Sequence, residues 1–251
     1  MMLAAMFRVE IRPGVFRPDW SAVTTQAARE ALCARFASRQ SLIDKWSIPL
    51  EEGEDRLWRH GLRLFADLGK GPNIGELGAA IGWSCSHVAD ALLDMQHRDL
   101  LGLDAAASVI LYAYPFSGHV TGHTVALDGR VLNAVCAVDA LGVGAMCKRD
   151  ITVTSRCRAC DTEIQISTAN QGQLLQNVSP TEVVIWYDLG FEDCAAKSCC
   201  QKIAFFCSDR HLQTWRDRAG AGEEGSRLAP VEALEVGRAL FGPLLTEAMI
   251  V

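Results

Sequence analysis

The stretch VLNAVCAVDALGVGAM, Val131 to Met146, governs how this chain is read. It is apolar except for Asn133 and two groups able to do chemistry, Cys136 and Asp139. If a strand ends near Asn133 and a helix follows, Cys136 falls in the helix's first turn, and positions three apart share a helical face. Thiol and carboxylate then point into one space. The unpaired amides of a helix N-terminus favour thiolate over thiol, and a carboxylate beside the sulfur can accept or deliver a proton. Spacing alone favours the plainer reading, a buried Cys beside an exposed Asp, because Cys-x-x-Asp is a weak pattern that does not by itself define a site.

Upstream, SVILYAYPF and HTVALDGRVL read as strands, the second turning at Asp128-Gly129. Before them, LWRHGLRLFADLG predicts a helix stopped by Gly69, NIGELGAAIGW a short second helix, and SCSHVADALLDMQHRDLLGL a third capped by Ser84 or Ser86. Three helices and a hairpin give a winged-helix-like pattern. The third helix region carries Asp90, Asp94 and Asp99 against Arg98 alone among fixed charges. That charge is wrong for entering a polyanionic groove, which points away from DNA. Residues 1–55 read as an N-terminal extension in which TTQAAREALCARFASRQSLIDKW is helical. Downstream, ITVTSRCRACDTEIQIST alternates like a hairpin, and TEVVIWYDL and KIAFFCS are strands. SDRHLQTWRDR begins a helix at Ser208 or Asp209, and LAPVEALEVGRALFGPLL is the last helix. The expected fold is α+β: an N-terminal helical winged-helix-like module over 56–128, then a small antiparallel-sheet core with helices over 129–251.

Composition bounds the function. The 251 residues are enough for a sizeable core, and 49% hydrophobic with 22% charged is ordinary for a soluble protein. A net charge of −6 is the opposite of what a general nucleic-acid binder carries. MMLAAMFRVE has neither a basic leader nor a small-residue cleavage site, and no apolar run reaches membrane-spanning length, so a cytoplasmic protein with no membrane partner is expected.

In a reducing compartment the ten cysteines read as packed thiols, metal ligands or nucleophiles rather than a disulfide framework. Cys33, Cys85 and Cys147 stand alone and read as small apolar residues. Cys157-x-x-Cys160 is half of a structural zinc site. A second pair at Cys199-Cys200 or Cys194-Cys199 would lack the usual spacing. Cys199 and Cys200 are adjacent, so on a regular strand one faces a site while the other packs.

Together these segments resemble alkylmercury lyases, also called organomercurial lyases. LNAVCAVDAL resembles the family's catalytic Cys-x-x-Asp segment, VTSRC the stretch carrying its third cysteine, and SCCQKIAFF its paired-cysteine strand, followed by an acidic residue and a Trp in DRHLQTW. The 63-residue separation of Cys136 from Cys199 also matches. The resemblance covers roughly residue 56 to the C-terminus. It implies that Cys136 and Cys199 are the mercury-binding thiols and Asp139 the proton relay. Cys157 would aid folding or access, and Cys200 would be secondary. Cys157, Cys160 and Cys200 are the accessory candidates for metal, and Cys160, Cys194 and Cys207 are thiols without a family counterpart.

The implied chemistry is protonolysis of a carbon–mercury bond, giving a hydrocarbon and thiolate-bound Hg(II). No resident cofactor is required, and excess small thiols or a mercuric reductase would accept the product. Mercury(II) is very soft and thiolates suit it, while an apolar pocket suits a methyl or phenyl substituent and excludes competing water. A non-catalytic soft-metal or zinc-binding protein on this fold would need the thiols but not Asp139. A metal-responsive regulator would need a basic groove-reading helix, which this sequence lacks.

Overall fold

A computed structural model describes residues 7–219 and 224–248. The first six residues of the MMLAAMFRVE stretch lie outside the described residues. The fold is α+β, and every strand pair in it is antiparallel.

The quoted stretch builds the centre. Strand β7 (Arg130–Ala134) runs into helix α6 (Ala137–Cys147), with Cys136 as the N-cap residue. Every residue from Ala137 to Met146 is buried. A helix apolar on all sides must be covered on all sides, and the remaining elements supply that cover. Helix α8 (Pro230–Phe241) crosses α6 closely where Gly142 meets Gly237: a Cβ on Gly237 would lie 2.9 Å from the Gly142 amide nitrogen and from the Val138 carbonyl oxygen. Only a residue without a Cβ permits that approach.

An eight-stranded sheet flanks α6, in the order β10-β9-β8-β6-β7-β5-β4-β3. Its strands are β3 (Leu101–Leu103), β4 (Ile110–Ala113), β5 (Phe116–Ser117), β6 (His123–Leu127), β7, β8 (Thr152–Arg156), β9 (Glu163–Ala169) and β10 (Leu174–Ser179). The β6–β7 hairpin turns at Asp128-Gly129, and the sequence stretch 151–168 forms the β8–β9 hairpin. A separate three-stranded sheet places β11 (Val184–Asp188) between β12 (Ala204–Phe206) and β13 (Gly225–Leu228). All five β11 residues are buried, as an apolar central strand requires. The sheet component is therefore larger than the small core expected.

Helices α3 (Glu52–Leu68), α4 (Ile74–Ile81) and α5 (Cys85–His97) precede the β3–β4 hairpin. Gly69 ends α3 in the left-handed region at φ 71°, and the Ser84 side chain caps α5. Asp99, just past α5, is buried rather than part of an acidic surface. It accepts hydrogen bonds from the Tyr114 hydroxyl (3.1 Å) and the Ala195 amide (2.9 Å).

Three local expectations change. The helix predicted over 24–46 is two, α1 (Gln26–Ala37) and α2 (Gln40–Ser47). Arg39 leaves helical geometry at φ −131°, ψ 45°, and its buried guanidinium donates to the Asp188 carbonyl at 3.0 Å. The vicinal cysteines lie not on a strand but in a 3-10 turn, Cys199–Gln201, so the alternation rule does not apply to them. Cys85 is exposed in the first turn of α5, while Cys33 and Cys147 are half-buried.

The chain before α3 packs into the core. Strands β1 (Val9–Arg12) and β2 (Val15–Arg17) form a hairpin. Arg12 pairs with Asp55 of α3 at 2.7 Å and donates to the carbonyls of Pro243, Leu244 and Thr246. Buried Glu235 of α8 accepts hydrogen bonds from the backbone amides and hydroxyls of Thr24 and Thr25, which ties the start of α1 to α8.

Candidate active site

At the start of α6 three ligand atoms converge: Cys136 Sγ, a carboxylate oxygen of Asp139 and Cys200 Sγ, all within 4.8 Å of one another. Their residues are 1%, 5% and 5% exposed, so the cluster is sealed from bulk water. The Asp139 amide donates weakly to Cys136 Sγ at 3.5 Å, the N-cap contact that the helical reading of the stretch implies. The other elements reach the same point from a distance. The Ala137 amide donates to the Ile203 carbonyl at 3.3 Å, which holds the segment after the vicinal cysteines against α6. Asp99 holds Ala195 from the other side, and the Tyr114 hydroxyl accepts from the Ala196 amide at 2.8 Å. The cysteine-bearing loop is thus fixed at both ends.

Cys199 lies outside the three-atom cluster, although the resemblance names it as the second thiol. Its Sγ faces the Ala195 carbonyl oxygen at 3.7 Å, and Cys200 takes the place beside Cys136. The pair opens a 3-10 turn whose path carries Cys200 Sγ toward Cys136 and leaves Cys199 Sγ against the Ala195 carbonyl. Cys157 and Cys160 do not reach this site. They belong to a second cluster with Cys207 and His211.

Burial dominates the electrostatics. It lifts the Asp139 carboxyl to about 7, partly offset by the hydrogen bond with Cys136 and by the Arg35 charge. It also pushes the Cys136 thiol up, against the opposing pull of its hydrogen bonds with Cys200 and the Asp139 amide. The hydrogen bond with Cys136 raises Cys200, and the one with Cys200 raises Cys199. The expected helix-terminus activation of Cys136 is therefore outweighed by desolvation: the thiols rest protonated, while Asp139, at about 7, can exchange its proton near neutral pH. One Asp139 carboxylate oxygen has no hydrogen-bond partner among the described residues. A buried acceptor left open in this way is free to take a proton.

The cluster lines a small enclosed cavity of about 10 Å³. Val138, Leu240 and Phe241 give it an apolar wall, and Tyr114 and Tyr187 give it aromatic faces. Arg17, Arg35 and Trp46 close it from the N-terminal segment. Arg35 donates to the Tyr187 hydroxyl at 2.9 Å, and its charge acts on Asp139, Cys199 and Cys200. These N-terminal residues were missed in the sequence. The available signal was a pair of arginines, Arg35 and Arg39, on the apolar side of a helical run.

The alkylmercury lyase family model matches residues 116–242. The chain belongs to the alkylmercury lyase family. Its members are enzymes that cleave carbon–mercury bonds. The alkylmercury lyase of Pseudomonas putida is 28% identical over 173 residues, covering 68% of this chain and 77% of the relative. That of Staphylococcus epidermidis is 25% identical over 185 residues, covering 73% and 81%. The solved structure described as the mercury-bound form of MerB2 shares the fold, with a TM-score of 0.69 and 22% identity over 84% of this chain and 98% of its own. The family match begins at β5 and ends at the residue after α8, so it spans both segments of the cysteine–carboxylate cluster.

Proposed function

We propose that this alkylmercury lyase acts by protonolysis, with Cys136 and the Cys199-Cys200 pair supplying the thiolates and Asp139 relaying the proton. The observation that carries the proposal is the sealed cluster of two sulfurs and one carboxyl, at the place where the sequence puts a Cys-x-x-Asp segment.

An organomercurial arrives as a small-thiol adduct, R–Hg–SR′. Cys136 attacks mercury and its proton leaves with R′S⁻, giving R–Hg–S–Cys136. The nearer thiol of the vicinal pair, Cys200 in this geometry, then binds mercury and passes its proton to the open oxygen of Asp139. Two thiolates on the metal raise electron density on the attached carbon. Asp139 protonates that carbon as the carbon–mercury bond breaks. The products are RH, R′SH and mercury(II) held by two cysteine sulfurs, and Asp139 returns to its starting charge. A carboxyl that titrates near 7 suits both halves of this relay at neutral pH.

The apolar wall favours methyl and aryl groups, and excluding water protects the developing carbanion-like carbon. With about 10 Å³ of free volume, the cavity must widen to admit them. Release of mercury(II) calls for excess small thiols or a mercuric reductase as acceptor, by exchange at sulfur. No helix among the described residues is long and apolar enough to cross a membrane. Free thiols at a buried site suit the reducing cytoplasm.

The test is incubation of the purified protein with phenylmercury or methylmercury and excess small thiol, with benzene or methane measured by gas chromatography. Release by wild type and its loss in Cys136→Ser and Asp139→Ala supports the proposal. Equal release in both variants overturns it. A purely metal-binding protein would release no hydrocarbon, and Asp139→Ala would leave its mercury affinity unchanged.

A further inference from the structure

We propose that Cys157, Cys160, Cys207 and His211 form a tetrahedral zinc site that clips the two sheets together. The three sulfurs and one imidazole nitrogen all lie within 4.8 Å of one another. Zinc bound to sulfur at about 2.3 Å and to nitrogen at about 2.0–2.1 Å requires tetrahedral edges of about 3.8 Å between sulfurs and about 3.6 Å between sulfur and nitrogen. Cys160 Sγ to Cys207 Sγ is 3.6 Å, and Cys157 Sγ to His211 Nδ1 is 3.7 Å. Cys207 Sγ to His211 Nδ1, at 2.8 Å, is a thiol–imidazole hydrogen bond that must open to an edge when zinc replaces the proton. None of the three cysteines is taken by a disulfide.

The backbone presents the ligands in the way such sites are built. Cys157 and Cys160 sit on the turn between β8 and β9. That turn is closed by the Cys157 amide to the Thr162 carbonyl at 2.8 Å and by the Asp161 amide to the Cys157 carbonyl at 2.9 Å. Asp161 adopts a left-handed φ of 63°, which completes the knuckle. Cys207 follows β12, and His211 lies in the first turn of helix α7 (Asp209–Ala219), where Ser208 Oγ accepts from its amide at 3.4 Å. The Arg158 amide donates to the Phe205 carbonyl at 3.0 Å and brings the two halves together.

The set contains four protein donors and no carboxylate. With zinc bound all four positions are filled by protein, the imidazole included, and none is left for substrate, which is the signature of a structural site. Thiolates with one imidazole also select zinc over harder cations. The clip would join the β8–β9 turn of the large sheet to the strand and helix that follow the vicinal cysteines. The site is independent of the lyase chemistry.

The full-length protein should be isolated from zinc-supplemented cells and its metal measured by mass spectrometry. About one zinc per chain is expected, falling at least tenfold in Cys160→Ser and in His211→Ala while Cys136→Ser and Cys200→Ser keep it. Cobalt(II) added to stripped protein should give sulfur-to-metal charge-transfer absorption that survives in the Cys136→Ser/Cys200→Ser double variant. This readout does not depend on the ligand variants folding. A wild type that neither retains zinc nor takes up cobalt with that absorption overturns the proposal. So does zinc that persists in Cys160→Ser and His211→Ala and is lost with Cys136 and Cys200.

Discussion

Two cysteine clusters lie among the described residues, and they differ in what accompanies the sulfurs. At the head of α6, Cys136 and Cys200 share a sealed space with a carboxyl. At the β8–β9 turn, three sulfurs share a partly exposed space with an imidazole. The first lacks enough donors to close a coordination sphere and has a group that moves protons. The second has donors for a closed sphere and no carboxyl among them. The difference teaches that a cysteine's role here follows from its company and burial, not from its reactivity alone.

That contrast can be tested by variants of graded effect. The largest is expected for Cys136→Ser, which removes the first sulfur to meet mercury. Hydrocarbon release should fall by at least about 10⁴-fold, as for loss of a nucleophile, while zinc content stays at wild type. Asp139→Asn comes next, with a loss of about 10²–10⁴-fold in the rate of hydrocarbon formation, the usual worth of a positioned proton donor.

Asp139→Asn should also stabilise the fold, and the sign follows from the raised carboxyl. Below about pH 4 the group is protonated in both the folded and the unfolded chain, so wild type and variant are alike. Between about 4 and about 7 the unfolded chain gives up its proton while the folded chain keeps it, so rising pH favours unfolding of the wild type. Above about 7 the penalty is complete. Urea unfolding should therefore show the variant more stable by on the order of 4 kcal/mol at pH 8, with the gap closing toward pH 4. A gap that widens on acidification would show that Asp139 is stabilised as a carboxylate, and the relay would lose its basis.

A smaller and more discriminating effect separates the vicinal pair. The geometry predicts about a 10²-fold loss of hydrocarbon release for Cys200→Ser and about tenfold for Cys199→Ser. The reverse order would give the second thiol to Cys199, as the resemblance implies, and would mean that the 3-10 turn rearranges around mercury. The smallest catalytic effect is expected at the other cluster. Cys160→Ser should leave kcat/KM within about threefold of wild type. Its thermal midpoint should fall by several degrees as the clip is lost.

Much of this arrangement was legible in the sequence. The apolar run around Cys136 and Asp139 marks a buried helix entered from a strand, and the structure has that helix with Cys136 at its N-cap. The hairpins at Asp128-Gly129 and around Cys157–Cys160, the Gly69 stop and the Ser84 cap follow from turn and cap chemistry that acts within a few residues. The expected strand through the vicinal cysteines was half right. Ala204–Phe206 is β12, but Cys199 and Cys200 precede it in a 3-10 turn. Cys157-x-x-Cys160 reads as half a zinc site, and the structure sets Cys207 and His211 beside it rather than a second cysteine pair. Cys207-x-x-x-His211 carries the matching spacing, and a search restricted to cysteine pairs passes over it.

The sequence by itself determined the α+β class, the buried helix with a thiol and a carboxyl on one face, and the kinship with alkylmercury lyases. Those features rest on periodicity, capping and short motifs, all encoded within a turn or two of chain. Only the tertiary structure decided that Cys200 rather than Cys199 meets Cys136, that Arg17, Arg35 and Trp46 close the cavity, and that Cys207 and His211 join Cys157 and Cys160. Those choices depend on the path of an irregular loop held by Asp99, Tyr114 and Ile203, and on contacts between residues tens of positions apart. No local periodicity records them, because the free energy that fixes them comes from packing the whole core at once.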